Sequence, residues 1–492
     1  GGVESNATIN SGGIDIAASG GTIRGAAVNS GGVLAMSGGV AIATVYNGGI
    51  GGVLAGGVES GAMINSGSLE DVLGGTASGA TVNSGGLFGV LSGVAIATVY
   101  DGGSGVLAGG TESGAIINSG GMEDVLSGGT ATSATVNSGG LLAVSGGVAI
   151  ATMYAGGSGR VLSGGVESGA TINSGGLDDI LSGGTAINTI VLTGGSLVVS
   201  SGGVADPVVI SMGGSETISS GGTDSGAQIS GGIQDVHGFA SGVTIFTGSQ
   251  VVESGGIATA TTISGGTLVL TIGGAASGAI TFAGATGILQ IDSTSMPTNT
   301  ISGLQPGDMF YLSGVAFDSN GSADLHAGNV LQITEGGQHY DLQLDPSQDF
   351  SGNFFQLNSA TGGGTLVTEE STPCYCAGTL ILTDRGEVEV ERLAIGDNLI
   401  TADGAVRPIR WIGRRSYAGR FAHGSHVLPI CIKAGALDVD RPRRDLWISP
   451  HHAMFLDGAL IEAVDLINGV SIIQAERAST SITSTSSSTP TM

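Results

Sequence analysis

Three cysteines, Cys374, Cys376 and Cys431, supply all the thiols of the chain, and all three lie in its last quarter. A thiol acts as nucleophile or metal ligand once deprotonated, and it then needs a neighbouring group to manage protons. The same stretch carries His451 and His452, with Ser449 just before them. Cys374 and Cys376 with distant histidines are too sparse for a zinc site, which takes four ligands at tight paired spacing. No metal and no cofactor is expected. Ahead of residue 374 there are two arginines, Arg24 and Arg160, no lysine, and only His237 among the repeats. A polysaccharide-cleaving β-helix needs clustered carboxylates for a metal and a strong base on one face, so catalysis by this part is a remote alternative. The acidic pairs Glu123/Asp124 and Asp178/Asp179 lack the glycine-aspartate phrase of calcium-binding repeats and read as a solvated acidic stripe.

The elements around these residues follow from composition. Of 492 residues, 94 are Gly and only 10 Pro, and the glycines fall in pairs rather than at every third position, which excludes collagen. Aromatics are 4% and charged residues 11%, unlike an ordinary helical or α/β enzyme body. A mean hydropathy of +0.35 argues against simple disorder. No run approaches the roughly 18 apolar residues of a membrane span. Lys+Arg 14 against Asp+Glu 40 gives a net charge of −26, which excludes nucleic acid as a partner. Bases are almost confined to the region after residue 373, so a boundary is expected there. An acidic segment without lysine suggests export. The chain opens on Gly1 with no basic and apolar leader, so it reads as a processed product or a fragment lacking its export signal.

Glycine pairs recur every 17 to 19 residues from Gly1 to Gly273, the mark of a solenoid with one coil per unit. A longer period of 53 to 55 residues, three coils, is visible in GGVES at 1, 56 and 164 and GGTES at 109. In the unit 164–182, Val166, Ala170 and Ile172 alternate with Glu167, Thr171 and Asn173, the period of a half-buried strand, and Leu177, Ile180 and Leu181 follow. Each unit reads as strand, turn, strand, turn, with glycine at the corners. The fold class expected is all-β: a parallel β-helix or β-solenoid of about 18-residue coils over 1–293, a β-rich cap and linker over 294–373, and a further β domain.

The phrases SGATINSGG, SGATVNSGG and GGVESGAMINSG resemble the glycine-rich repeats of AIDA-type autotransporter adhesins, over about 1–290. That resemblance implies a bacterial protein, secreted or on the cell surface, with a host or matrix surface ligand as partner. It also implies O-linked glycosylation at the serine corners Ser11, Ser30, Ser66, Ser84, Ser119, Ser138 and Ser174, which equally read as small polar turn residues.

The run PCYCAGTLILTDRGEVEVERLAIGD resembles the opening of a Hint (hedgehog/intein) domain. Cys374, Tyr375, Gly378 and Thr379 match its first phrase, Ile381, Thr383 and Gly386 the second, and Val390, Leu393, Gly396 and Asp397 the third. Ser449 and His452 stand at the Thr and His positions of the second family block. The resemblance implies that Cys374 attacks the carbonyl of Pro373, that His452 protonates the leaving amide nitrogen, and that the Ser449 hydroxyl holds the scissile peptide. Asp397 reads as a turn residue. No terminal His-Asn is present, so splicing is not expected, and the module reads as incomplete over 374–474 with a Ser/Thr-rich disordered tail over 475–492. The function expected is a surface adhesin-like solenoid whose Hint module self-cleaves at Pro373/Cys374. The alternative is a purely structural adhesion protein with an inert Hint remnant.

Overall fold

The computed structural model describes residues 1–350, 353–371, 375–401, 404–409, 412–417, 428–450, 452–456, 459–475 and 482–486. These divide into two compact units, Gly1–Gln348 with Gln356–Thr368, and Asp349–Phe355 with Glu369–Met492.

The first unit is a β-solenoid of about seventeen turns. Many coils carry three short strands rather than two, and in others the first two run together, as in Thr185–Val191. In the coil from Gly164 the three are Val166–Ser168, Thr171–Ile172 and Leu177–Ile180. Each lies parallel to its counterpart one coil on, Val166 opposite Thr185, Thr171 opposite Ile190 and Leu177 opposite Ser196. The extra strand arises because the corner between the first two is only two residues, Gly169 and Ala170, with Gly169 at φ +70°. At the next corner both glycines of the pair are required. Gly175 takes φ +75°, and a Cβ on Gly176 would stand 2.7 Å from the Tyr154 carbonyl oxygen of the preceding coil. Asparagines at successive corners form a ladder, with Asn65 donating to Asn47 at 2.9 Å and Asn83 to Asn65 at 2.7 Å.

The interior corrects one expectation. The acidic residues do not form a solvated stripe: Glu123 and Asp178 are fully buried, and only Asp124 and Asp179 reach the outer face. Likewise Glu167 points inward while Val166 and Leu177 are half-exposed, so the first strand carries the opposite face inward from the one its hydrophobicity suggests. The reason lies in the three-coil period. In the first coil of each module a tyrosine (Tyr46, Tyr100, Tyr154) fills the interior beside a glycine (Gly51, Gly105, Gly159). The coil after it brings two acids inward, and the tyrosine hydroxyl donates to one of them, at 2.8 Å from Tyr154 to Glu167. The glycine is a matter of volume, since a Cβ on Gly105 would stand 2.5 Å from the Tyr100 hydroxyl oxygen. Gly105→Ala is therefore expected to cost about 1–3 kcal/mol through overpacking. Its urea midpoint checks this, and a midpoint equal to that of the unaltered chain refutes the packing argument.

At the far end, Met309–Leu312 closes the parallel stack by pairing antiparallel with Thr365–Thr368. A three-stranded antiparallel meander, Ser322–His326, Val330–Glu335 and Gln338–Gln343, belongs to the same unit. Parallel stacking thus ends in antiparallel pairing, which occupies the hydrogen-bonding edge of the last full strand.

In the second unit, Leu380–Thr383 pairs with Gly386–Glu389 and with Asn398–Ile400, which pairs in turn with Val406–Pro408. Ile430–Ile432 is flanked by Leu446–Ile448 and Ile472–Gln474. Two apolar clusters result: Ile430, Ile432, Ile448, Ala463 and Ile472 form one, and Val390, Leu393 and Ile409 the other. Within the span read as a disordered tail, Ile482–Ser486 forms a strand antiparallel to Gly413–Tyr417.

Candidate functional site

Cys374 and Pro373 lie outside the described residues, as does His451; Tyr375, Ser449 and His452 are described. Tyr375 forms an antiparallel bridge with Ile448, and the Cys376 amide donates to the Trp447 carbonyl at 3.1 Å. The Thr379 hydroxyl donates to that same carbonyl at 3.4 Å. The segment after Cys374 is therefore laid along the strand Leu446–Ile448, whose next residue is Ser449.

From Ser449 the chain turns sharply. The His452 amide donates to the Ser449 carbonyl at 3.1 Å, and the His452 carbonyl accepts from the Ala463 amide at 3.0 Å. This fixes His452 from both sides of its backbone and leaves its side chain buried, 7% exposed. The Tyr375 ring stands against the imidazole with centroids 4.5 Å apart and planes at 59°. Tyr375 also packs against both apolar clusters of the unit, and burial pushes its hydroxyl pKa up. The aromatic ring next to Cys374 thus joins the two halves of the module at the imidazole. Sequence reasoning used Tyr375 only as a motif match; the available signal was an aromatic immediately after the cysteine.

The remaining candidates have structural placements. Cys431 is buried between Trp447 and Ile473, and burial, reinforced by Asp445, pushes its thiol pKa up, which disfavours a reactive thiolate. Cys376 is half-buried. Asp397 holds its corner as expected of a turn residue: its carboxylate accepts from the Ala394 amide at 3.0 Å and pairs with Arg385 at 2.6 Å. Gly378, at φ +85°, donates its amide to Glu391 at 2.9 Å, which ties the first motif to the third. Among the described residues no group of three or more His, Cys, Asp or Glu could hold a metal ion, and no helix is long and apolar enough to cross a membrane.

A family model described as Hint domain matches residues 373–484. Among solved structures, a hyper-glycosylated fragment of TibA, modified by TibC, is 36% identical, with a TM-score of 0.48; the match covers 53% of this chain and 96% of that one. A comparison with curated proteins finds no match. The parallel register of the solenoid stands on this chain's own hydrogen bonds. The chain thus carries a Hint domain over residues 373–484, behind glycine-rich repeats that are similar in sequence to the TibA fragment.

Proposed function

We propose that this chain is a secreted or cell-surface, adhesin-like β-solenoid whose Hint module cleaves it from the repeats at the Pro373–Cys374 junction. The observation that carries the cleavage reading is Tyr375. Consecutive Cα atoms are about 3.8 Å apart, so Cys374 is tethered one peptide from a ring that packs on His452 and bridges to the strand leading into Ser449. The Cys374 sulfur attacks the Pro373 carbonyl carbon, and the carbon–nitrogen bond breaks as His452 delivers a proton to the departing amide nitrogen. The Ser449 hydroxyl holds the peptide during attack. A thioester results, and water or an external thiol then displaces the cysteine sulfur and frees residues 1–373.

Incubating the purified full chain with dithiothreitol or hydroxylamine tests this. The expected product is a fragment ending at Pro373, identified by mass. An intact mass after prolonged incubation of folded chain rejects cleavage and leaves a structural surface protein with an inert Hint domain.

For the repeats, we propose O-glycosylation at the corner serines Ser11, Ser30, Ser66, Ser84, Ser119, Ser138 and Ser174. All seven are exposed, as modification by an enzyme requires, and glycosylation is the modification of the TibA fragment. The ligand class favoured by the adhesin reading is a host or matrix surface.

A further inference from the structure

Each three-coil module buries two acids in one coil, Glu59 with Glu70, Glu112 with Glu123, and Glu167 with Asp178. The two members of each pair come from different strands of that coil and lie within hydrogen-bonding reach of each other across the interior. The tyrosine of the preceding coil donates to the first member, at 3.0 Å from Tyr46 to Glu59 and 2.8 Å from Tyr100 to Glu112. The second member has no such hydroxyl donor: the side-chain oxygens of Glu70 and Glu123 are buried without an N–H or hydroxyl partner, and Asp178 is met only by the backbone N–H of its own neighbour Asp179. Two adjacent carboxylates buried in an interior closed to solvent do not both ionise readily, and a hydrogen bond between them requires a proton on one.

A fourth polar layer in the same solenoid solves the problem differently. Between Glu216 and Asp224 stands Gln234, whose amide donates to Glu216 at 2.8 Å and to Asp224 at 2.9 Å. Gln250 donates in turn to Gln234 at 2.8 Å. There a side-chain N–H joins the two acids; in the three tyrosine layers only a carboxyl proton can join the pair.

We propose that the pairs Glu59–Glu70, Glu112–Glu123 and Glu167–Asp178 are proton-holding locks: each keeps a carboxyl proton at neutral pH, and its loss in alkali opens the solenoid at that layer. The groups facing each lock favour this state. The first is faced by Tyr46 and Thr44 with Asp71 outside it, the second by Tyr100 and Thr98 with Asp124 outside, and the third by Tyr154 and Thr152 with Asp179 outside. Tyr100 also feels Glu70, and Tyr154 feels Glu123, so successive layers reinforce one another. The arginines of the repeats, Arg24 and Arg160, are on the outer face, where Arg160 acts on Asp179. Burial raises the pKa of all six acids, and lifts those of Glu70, Glu123 and Asp178 well above the ordinary carboxylate value. Because the folded value is the higher one, this contribution to stability is complete below the ordinary carboxylate pKa and is lost as pH rises through the folded value.

Infrared spectroscopy of the full chain at pH 7, where exposed carboxylates are ionised, tests the proposal directly. A protonated-carboxyl stretch is expected, and it should weaken strongly in the triple variant Glu70→Gln, Glu123→Gln, Asp178→Asn, whose amides reproduce the donor role of Gln234. Hydrogen exchange should show local opening in coils 56–73, 109–127 and 164–182, corrected for intrinsic rates, rising about tenfold per pH unit between the ordinary carboxylate pKa and the raised folded value of each lock and levelling off above it. The triple variant should lose that slope. Absence of the stretch from the unaltered chain overturns the proposal even if the variant fails to fold. So does a variant that keeps the slope, or a chain at pH 9 that is stabilised by calcium and destabilised by chelator, which would make the layers cation sites.

Discussion

Cys374→Ala is expected to abolish release of the fragment ending at Pro373, because the substitution removes the attacking sulfur. His452→Ala should slow release by about 10²–10⁴-fold, the usual contribution of a positioned general acid. The His452 backbone is bonded on both sides and its imidazole packs on the Tyr375 ring, so on the proposed mechanism its loss removes a positioned proton donor. Cys376→Ala should release fragment at close to the unaltered rate: its amide, not its thiol, makes the bond to Trp447 that keeps the strand in register, and alanine retains that amide. The unaltered reaction should itself be slow, since the Pro373 ring crowds the approach to its carbonyl. Mass spectrometry over a time course separates the variants. Release from Cys374→Ala at the unaltered rate would exclude the acyl shift, and a Cys376→Ala variant as dead as Cys374→Ala would reassign the nucleophile.

The solenoid was legible in the sequence because its requirements are local. A corner that needs positive φ takes glycine, and a strand alternates every second residue, so the 17 to 19 residue period and the β class both stood in the text. The orientation of the strands was not legible from hydrophobicity. In Val166-Glu167-Ser168 the apolar residue faces out, because the acid finds its partners at Tyr154 in the previous coil and Asp178 across the interior. Those partners are distant in sequence and only stacking joins them. A signal was nonetheless present: tyrosine at 46, 100 and 154 and glycine at 51, 105 and 159 repeat in phase with the acids. A three-coil period in residue identity meant a three-coil period in the core, as well as a record of duplication. In the C-terminal module the motifs marked Cys374, Ser449 and His452, whereas the joining role of Tyr375 required two apolar clusters that come together only on folding.

Ile172→Asp should be among the most damaging single changes in the repeats, costing several kcal/mol. Ile172 is fully buried, opposite Tyr154 in the coil before and Val191 in the coil after. The same coil already holds Glu167 and Asp178, so the comparison shows what makes a buried acid tolerable here. Glu167 has the Tyr154 hydroxyl at 2.8 Å and a facing carboxyl with which to share a proton. An aspartate at 172 would take the place of an aliphatic side chain between a tyrosine ring and a valine, and would add a third acid to a layer built for two. The damage should stay local, because a solenoid coil is stabilised chiefly by its immediate neighbours. Hydrogen exchange is expected to rise over 146–200 and to remain unchanged over 1–30. A rise of equal size at Gly1 to Ser30 would contradict nearest-neighbour stacking, and an unchanged exchange rate beside residue 172 would contradict its burial.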